Sequence, residues 1–362
     1  MKVLVAPLDW GLGHATRCMP VIQEFLRQGF EVEIGCVKSN AKLFRESFPS
    51  LRQRLCPSYG IVYPKFGFNM GLWLLKNSAH LNAVIRFEHR FANEMVKRHG
   101  YDVIFSDNRF GFYGDGAKNI YMTHQLRIAF PAAFSFLENI GIRFHSKMMK
   151  RFDEVWVPDF KDAPGLSGSL SHGVNNGVEP TFVGPLSRFQ NSISDFSSEE
   201  KKEYKVVAII SGVEPARSRF ECILKKSLKQ IPGKHVLILG KPSATVNHET
   251  DENLEIYSHL PTDCFASVVK KSEWVLSRGG YSTVMDMACL QARCIFVPTP
   301  GQYEQVKLSA ELSKASYCSV IPESRLNADA ILHAFEGKPL FPLLDNAGLL
   351  SDAVTNLKNK LK

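Results

Sequence analysis

The stretch Trp274-Val275-Leu276-Ser277-Arg278-Gly279-Gly280-Tyr281-Ser282-Thr283-Val284-Met285-Asp286 has the pattern of a strand, a glycine turn and the start of a helix. Its first residues, Trp274 to Leu276, form a short apolar run that predicts a buried strand. Gly279 and Gly280 allow a tight turn and the close approach of a ligand to the backbone. The helix that follows has apolar positions at Val284, Met287, Ala288 and Cys289.

The start of this helix suits an anion. Ser282 and Thr283 are residue types that cap helices, and the first turn of a helix offers N–H groups and a partial positive charge to a phosphate. Asp286 follows further along the helix, where its carboxylate can accept hydrogen bonds from ribose hydroxyls, as the acidic residue of a dinucleotide fold does. An ordinary packing turn has the same pattern, so these residues alone leave both interpretations open.

A second strand with a polar end follows. Cys294 to Pro298 is apolar, and it leads into Thr299-Pro300-Gly301-Gln302-Tyr303-Glu304-Gln305 and then a helix through Leu308 and Leu312. Two successive strands thus end in glycines and polar groups. Ligands of open α/β sheets bind at such carboxyl ends of the strands.

The run from Ser277 to Leu312 resembles the donor site of nucleotide-sugar glycosyltransferases of the GT-B fold, and it is most similar to the MurG-like group, glycosyltransferase family 28. It also resembles the glucuronosyltransferase signature, in which an Asp/Glu-Gln pair binds sugar hydroxyls. The residues that carry the resemblance are Ser277-Arg278-Gly279-Gly280, Thr283-Val284-Met285-Asp286, Phe296-Val297-Pro298 and Glu304-Gln305.

The resemblance implies an α/β protein of GT-B type, with two Rossmann-like doubly wound domains facing each other across a cleft. It implies a UDP-sugar donor held by Ser277 to Gly280, by the helix start with Ser282 and Thr283, and by Asp286, with Arg278 as added positive charge. Glu304-Gln305 stands where MurG-like sequences carry Arg-Gln and then a second Gln. This departure leaves the identity of the sugar open.

Composition restricts the class of protein. The 362 residues, 44% of them hydrophobic and 22% charged, suit two globular domains. Eight cysteines without CxxC pairs or zinc spacing argue against a disulfide framework or a structural metal. The start of the chain lacks the apolar core of a signal peptide, and no apolar run reaches the ~18 residues of a membrane span. We therefore expect a cytoplasmic protein, either soluble or attached to the inner face of the membrane.

The formal net charge of +8 suggests three kinds of acidic partner: nucleic acid, an anionic membrane surface or an acidic substrate. No zinc finger, RNP pattern or isolated basic arm is present, so nucleic acid is the least favoured. Residues 65–99 combine aromatic and basic side chains and suggest contact with an anionic membrane or a lipid-linked acceptor. A pair of core-packing helices with a solvated basic face explains the same pattern.

The beginning of the chain predicts β-α-β. Lys2 to Pro7 reads as a buried strand, Gly11-Leu12-Gly13-His14 as a glycine turn, and Phe30 to Val37 as the next strand. The Gly-x-Gly-x-x-Gly pattern of dinucleotide-binding folds is incomplete because position 16 is Thr.

Family resemblance places this first turn near the donor phosphates and the acceptor, through Gly13, His14 and Arg17. His14 is then either the general base, for which an imidazole suits neutral pH, or a residue that binds a substrate oxygen. A histidine that caps or packs at the turn is the alternative.

Two later strands of the first half also end in polar residues. Asp107 and Asn108 follow the strand Tyr101 to Ser106, and His124 follows the strand Asn119 to Thr123. Asp107 can orient His14, bind an acceptor hydroxyl, act as the base itself, or cap the next turn. Asn108 and His124 are candidates for the acceptor side.

The domain organisation follows from these patterns. We expect an acceptor-side domain over residues 1–189, a polar serine-rich linker over 190–203, a donor domain over 204–345 and a terminal helix over 346–362 that packs back on the first domain. In the donor domain, the turn with Gly212, Val213 and Glu214 follows the strand Tyr204 to Ile210 and offers N–H groups to the diphosphate. The resemblance places the backbone of Leu260 against the uracil.

The resemblance thus implies transfer of a hexose or N-acetylhexosamine from a UDP-sugar to an acceptor hydroxyl, and a lipid-linked or cell-envelope saccharide is the candidate acceptor. No Asp-x-Asp metal pair is apparent, so we expect metal-independent catalysis without a cofactor, and the resemblance implies inversion. Two alternatives stay open: a UDP-sugar epimerase or hydrolase of the same fold, and a non-catalytic subunit.

Overall fold

The computed structural model describes residues 1–9, 11–59, 78–130, 136, 138–190, 201–212, 214–241, 245–344 and 348–362. Contacts divide this part of the chain into two units. The first contains residues 1–59, 78–187 and 348–362, and the second contains Arg188–Leu344.

The first unit is a parallel sheet with strand order β3-β2-β1-β4-β5-β6-β7. Its strands are β1 (Lys2–Pro7), β2 (Glu31–Cys36), β3 (Gln53–Leu55), β4 (Val103–Asp107), β5 (Lys118–Met122), β6 (Glu154–Val157) and β7 (Pro180–Phe182). Its helices are α1 (Leu12–Arg27), α2 (Lys38–Ser47), α3 (Ser78–His99), α4 (Glu138–Met149) and the C-terminal α10 (Leu349–Lys360).

Local sequence explains why the central strands form. Val3, Leu4, Val5 and Ala6 in β1 are fully buried, as expected for a strand with both faces covered. The residues of α1 that face the sheet, among them Val21, Ile22 and Phe25, are also fully buried. The predicted β-α-β opening of a doubly wound sheet is confirmed.

The basic stretch lies partly on α3, whereas residues 65–77 lie outside the described part of the chain. Buried Ile85 and Glu88 face inwards, and Arg109 Nε donates to Glu88 Oε1 at 2.8 Å. The opposite face of α3 exposes Phe87 between two arginines. The helix is therefore both a packing element and a basic surface; the exposed residues of its first half include Asn82, Ala83, Arg86, Phe87 and Arg90.

The second unit is a sheet of order β10-β11-β9-β8-β12-β13-β14, parallel except for the β10–β11 hairpin. Its strands are β8 (Tyr204–Ile209), β9 (His235–Ile238), β10 (His248–Asp251), β11 (Leu254–Tyr257), β12 (Ser272–Ser277), β13 (Cys294–Phe296) and β14 (Cys318–Val320). Its helices are α5 (Ala216–Leu228), α6 (Thr262–Lys270), α7 (Tyr281–Cys289), α8 (Tyr303–Lys314) and α9 (Ala328–Ala334).

The C-terminal helix α10 belongs to the first unit. Its Ala353, Val354 and Leu357 are buried, and Gln28 Nε2 at the end of α1 donates to the Ser351 carbonyl at 2.9 Å. Lys360 Nζ also lies 2.8 Å from Glu154 Oε1. Burial of this apolar stripe holds the end of the chain against α1.

Among the described residues, no helix has the length and apolar character that a membrane crossing requires.

Candidate active site

Each sheet reverses its strand order at one place, and each place has turns with the predicted residues. In the first unit the chain runs outward from β1 through β2 to β3 and then returns to β4, which pairs with β1. In the second unit it returns to β12, which pairs with β8. Crevices that bind ligands form beside the carboxyl ends of strands at such positions. Both groups of candidate residues lie there.

In the first unit His14 and Asp107 form a hydrogen-bonded pair. His14 lies in the first turn of α1, after Gly11, whose φ of 78° is the left-handed conformation that glycine favours. Asp107 ends β4 and is fully buried. The distance between His14 Nδ1 and Asp107 Oδ2 is 2.9 Å. With the proton on Nδ1, the imidazole donates to the carboxylate and keeps a lone pair on Nε2 for a substrate proton.

The expectation that Arg17 contacts the acceptor is corrected by the structure. Arg17 is 2% exposed, and its Nε donates to both carboxylate oxygens of Asp107 at 3.0 Å. A further bond joins Arg17 Nη2 to Asp107 Oδ1. Nη2 also lies 2.9 Å from His14 Nδ1, and because a guanidinium only donates, this contact is a hydrogen bond only in the other tautomer, with the His14 proton on Nε2. The role of His14 as a base uses the tautomer in which Nδ1 donates to Asp107. The side chain is thus buried beside the dyad, where a fork of N–H groups fits a carboxylate.

His124 joins the same cluster. It lies just after β5 and is 4% exposed, and its Nδ1 lies 3.2 Å from Arg17 Nη1. Since a guanidinium only donates, His124 Nδ1 is the acceptor of that bond. The predicted His14, Asp107, Arg17 and His124 therefore form one network.

Burial and charge set the protonation of the dyad. Burial, and then the positive charge of Arg17, lower the pKa of His14 below its ordinary 6.5, although Asp107 opposes this change. Burial disfavours the charged form of Asp107, but Arg17 and His14 outweigh it and hold the pKa of this carboxyl below 3.8. At neutral pH the pair is thus a neutral imidazole beside a carboxylate, which is the state that a general base requires.

Asn108 is fixed beside this network. Its φ of 58° lies in the left-handed region, which asparagine tolerates better than most residues. Its Oδ1 accepts a hydrogen bond from the Tyr121 hydroxyl at 3.0 Å. Gly13 lies one residue before His14, and its carbonyl accepts from the Thr16 hydroxyl at 3.1 Å. The structure therefore places both residues at the same edge as the dyad.

In the second unit, the turn after β8 is built for close approach. Gly212 has a φ of 103°, and no heavy atom of the described residues lies within 4 Å of the position a Cβ would take. Glu214 uses its carboxylate locally, because it accepts from Ser218 N at 3.2 Å at the start of α5. Val213 lies outside the described residues.

The two glycines after β12 serve different purposes. A Cβ on Gly279 would lie 2.3 Å from Ser309 Oγ, so Gly279 is required by packing. A Cβ on Gly280 would meet no described atom within 4 Å, and its φ of −73° is ordinary for any residue. Packing does not explain the absence of a side chain at Gly280.

The sequence predicted that Ser282 and Thr283 cap α7, but neither residue occupies the N-cap position. The helix begins at Tyr281 with Gly280 in the N-cap position, and a glycine has no side chain to make a cap hydrogen bond. Both residues instead lie in the first turn, whose N–H groups precede the regular helical bonding. The predicted strand–turn–helix is confirmed, with its helix start one residue earlier than the predicted capping pair.

Asp286 has a cationic neighbour that the sequence did not identify. Its Oδ2 lies 3.8 Å from Arg188 Nε. The Arg188 guanidinium lies 4.7 Å from the ring centre of Phe189 and 5.0 Å from that of Phe265. Arg188 precedes the polar stretch that we treated as a linker, and no local motif marks it.

Arg278 is not available as a charge for a leaving group, contrary to expectation. It is 2% exposed, and its Nη2 lies 2.5 Å from Glu323 Oε2. Its other bonds go to backbone carbonyls: Nη1 to Val297 at 3.1 Å and Nη2 to Ala216 at 3.3 Å. These partners follow β13, β8 and β14, so Arg278 joins the turns at the carboxyl edge of the sheet.

The remaining donor candidates lie at or near this edge. Ser277 ends β12 and is buried, and Leu260 is half-buried just before α6. Glu304 lies in the first turn of α8. Gln305 accepts from Thr299 N at 2.9 Å through Oε1, so its amide already fixes the loop after β13.

Comparisons with known proteins agree with this architecture. Residues 207–336 match the glycosyltransferase family 28 C-terminal domain. A protein of Methanosarcina acetivorans named "Uncharacterized glycosyltransferase" is 23% identical over 332 residues, which are 88% of this chain and 82% of that protein.

A second relative matches over a shorter range. The UDP-N-acetylglucosamine–N-acetylmuramyl-(pentapeptide) pyrophosphoryl-undecaprenol N-acetylglucosamine transferase of Sulfurihydrogenibium sp. is 29% identical over 137 residues, 36% of this chain and 38% of that one. Among solved structures, the glycotransferase of kitacinnamycin superposes with a TM-score of 0.62 and 13% identity over 99% of this chain and 94% of its own. The GT-B fold is thereby confirmed. The chain is a glycosyltransferase of the GT-B type with a family 28 C-terminal domain.

Proposed function

We propose that the protein transfers a hexose or N-acetylhexosamine from a UDP-sugar to an acceptor hydroxyl, with inversion and without a metal ion. The observation that carries this proposal is the open space beside Gly280 at the start of α7, within the family 28 domain. The name of the Sulfurihydrogenibium relative specifies UDP-N-acetylglucosamine, and for this reason we propose a uridine nucleotide rather than another nucleotide.

The proposed donor site relies on backbone N–H groups. Gly212 and Gly280 both have open space where a side chain would lie, and both precede helices. N–H groups at a helix start suit a diphosphate, and they stabilise the charge that develops as UDP leaves. Asp286 would accept from the ribose hydroxyls, with Arg188 as a neighbouring positive charge.

The proposed chemistry is a single displacement. Nε2 of His14 accepts the proton of the acceptor hydroxyl, whose oxygen forms a bond to the anomeric carbon as the bond from that carbon to the UDP oxygen breaks. The negative charge leaves on UDP, and Asp107 stabilises the imidazolium. Attack from the side opposite the leaving group inverts the anomeric centre.

The nucleotide is tested by thermal shift. A ligand that binds only the folded protein at a hundred times its Kd stabilises it by about 2.7 kcal/mol. UDP should raise Tm more than GDP, ADP or NAD, and equal shifts with all four contradict a UDP donor. An assay in EDTA tests metal independence, since chelation should leave the rate unchanged.

The reaction is tested by product analysis. UDP-sugar with an acceptor should give a glycosylated product and UDP. Free sugar or an epimer formed from UDP-sugar alone would favour the hydrolase or epimerase alternative instead.

We further propose that the acceptor is lipid-linked and that α3 contacts an anionic membrane surface. Phe87 is 58% exposed, and Arg86 and Arg90 flank it. Each basic residue near an anionic surface contributes about 1 kcal/mol of attraction. Substituting both Arg86→Gln and Arg90→Gln should weaken binding to vesicles containing phosphatidylserine, whereas Arg98→Gln is a matched control because Arg98 is paired with Glu94. Equal binding by all forms contradicts the proposal.

A further inference from the structure

Two glutamines at the start of α8, Gln302 in the N-cap position and Gln305 in the first turn, have amides that are oriented in series. Thr299 N donates to Gln305 Oε1 at 2.9 Å, and Gln305 Nε2 donates to Gln302 Oε1 at 2.6 Å. A backbone bond from Gln302 N to the Thr299 carbonyl, at 3.0 Å, closes the same turn. Gln302 and Gln305 are both half-buried.

One fixed donor determines the orientation of both amides. A backbone N–H can only donate, so the atom of Gln305 facing Thr299 must be the oxygen. Gln305 therefore turns its NH₂ group to Gln302, and Gln302 must meet it with its own oxygen. The NH₂ group of Gln302 is consequently not used in its bond to Gln305 and points away from it.

The series follows β13, which pairs with β12, and the proposed donor turn follows β12. Val297 N donates to the Ser277 carbonyl at 2.8 Å, and Arg278 Nη1 donates to the Val297 carbonyl at 3.1 Å. The loops after β12 and β13 are thus bonded to each other. Thr299 Oγ1 is buried and has no hydrogen-bond partner within the described chain, so the loop has polar capacity that its own contacts do not use.

We propose that Gln302 is a specificity-determining residue of the donor site, whose NH₂ group donates to an oxygen of the donor sugar, and that Gln305 is the residue that positions it. This inference rests on the proposed UDP-sugar transferase function. It goes beyond the predicted Glu304-Gln305 pair, since the group that selects the sugar lies at Gln302.

Gln302→Glu separates the two ends of the side chain. A carboxylate keeps an oxygen for Gln305 Nε2 and replaces only the outward NH₂ with an oxygen. We expect UDP affinity to stay unchanged while the KM of the preferred UDP-sugar rises by about threefold to tenfold, the range of one hydrogen bond. Gln302→Ala should raise that KM as well, because it removes the donor entirely.

The same variant identifies the sugar oxygen. A sugar hydroxyl can donate to the new carboxylate, whereas the acetyl carbonyl of UDP-N-acetylglucosamine cannot. A larger KM increase for Gln302→Glu than for Gln302→Ala therefore assigns a carbonyl, and a smaller increase assigns a hydroxyl. UDP-glucose and UDP-N-acetylglucosamine are the two probes.

Gln305→Glu tests the series without changing Gln302. Its carboxylate would accept from Thr299 N and also from Gln302, which must then turn its NH₂ inward and its oxygen outward. We expect the KM for UDP-sugar to rise as in Gln302→Glu, with UDP affinity retained. Unchanged KM values in all three variants that bind UDP overturn this inference, whereas failure of the wild type to bind UDP overturns the proposed function itself.

Discussion

The two units use different chemical groups at the carboxyl edges of their sheets. The edge of the first unit consists of side chains: His14, Asp107, Arg17 and His124 form a buried network. The edge of the second unit is a set of backbone turns with open space at Gly212 and Gly280. The difference matches two chemical tasks, because a proton transfer needs titratable groups and a diphosphate needs fixed N–H donors.

Buried arginines support both edges, but through different partners. Arg17 donates mainly to the carboxylate of Asp107 and thereby acts on the charge of the dyad. Arg278 donates largely to backbone carbonyls and thereby holds turns together. Losing the first arginine should therefore change pH dependence, and losing the second should change stability and donor affinity together.

The largest effect is expected at His14. His14→Ala removes the proposed base and should lower kcat by about 10²–10⁴-fold. His333→Ala is the control, because this histidine is 83% exposed and lies on α9, outside both groups of candidate residues. Retention of full activity by both His14→Ala and Asp107→Asn contradicts a catalytic dyad, and if the activity is that of a purified complex with another subunit, it favours a non-catalytic role for this chain.

Arg278→Met should destabilise the second unit. Among the described residues it leaves Glu323, whose side chain is 3% exposed, with Arg219 at 3.3 Å as its remaining cationic partner. Breaking a buried pair costs about 3–5 kcal/mol, which urea unfolding monitored at the second unit would measure. Adding Glu323→Leu should recover part of the stability but not donor affinity, because the carbonyls of Val297 and Ala216 still lack their donor. Full recovery of both would show that Arg278 does not hold the turns.

Substitutions of the neighbouring glycines Gly279 and Gly280 should have smaller effects, the first on stability and the second on the KM for the donor. Gly279→Ala forces a contact with Ser309 and should cost about 1–3 kcal/mol of stability, as overpacking does. Gly280→Ala should leave Tm nearly unchanged and raise the KM for UDP-sugar about tenfold or more, because the added methyl group would take space proposed for the diphosphate and move that charged group away from the N–H. If Gly280→Ala leaves donor KM at the wild-type value, the open space beside it is not the phosphate site.

The smallest effect is a shift of the pH profile. Activity should fall as acid protonates His14, at a pH below 6.5 because burial and Arg17 lower its pKa. Arg17→Gln removes the positive charge, so the acid limb of kcat/KM should move to higher pH. Arg17→Lys keeps a charge and should move it less. A shift to lower pH in Arg17→Gln would contradict the assignment of that limb to His14.

Local sequence determined much of what could be predicted. The glycine turn Ser277 to Gly280 and its flanking strand and helix are contiguous in sequence, so the spacing of their residues was sufficient to predict all three. Short edge elements such as β3, β10 and β14 were not identified, because three or four residues with mixed polarity give little periodicity.

Roles that depend on distant partners could not be predicted in the same way. Arg278 and Glu323 are 45 positions apart, and only the fold brings them together. Arg188 meets Asp286 across 98 positions of sequence (286 − 188). The sequence likewise predicted Arg17 as a substrate ligand. Only the fold shows that Asp107, at the end of β4, lies against Arg17 and accepts its hydrogen bonds.

Hydrogen–deuterium exchange of the wild-type protein with and without UDP tests the central claim most directly. The amides of Gly280, Tyr281, Ser282 and Thr283 should become protected when UDP binds, because the diphosphate would accept from the N–H groups at the start of α7. Binding of UDP without protection of these amides would contradict the proposed donor site.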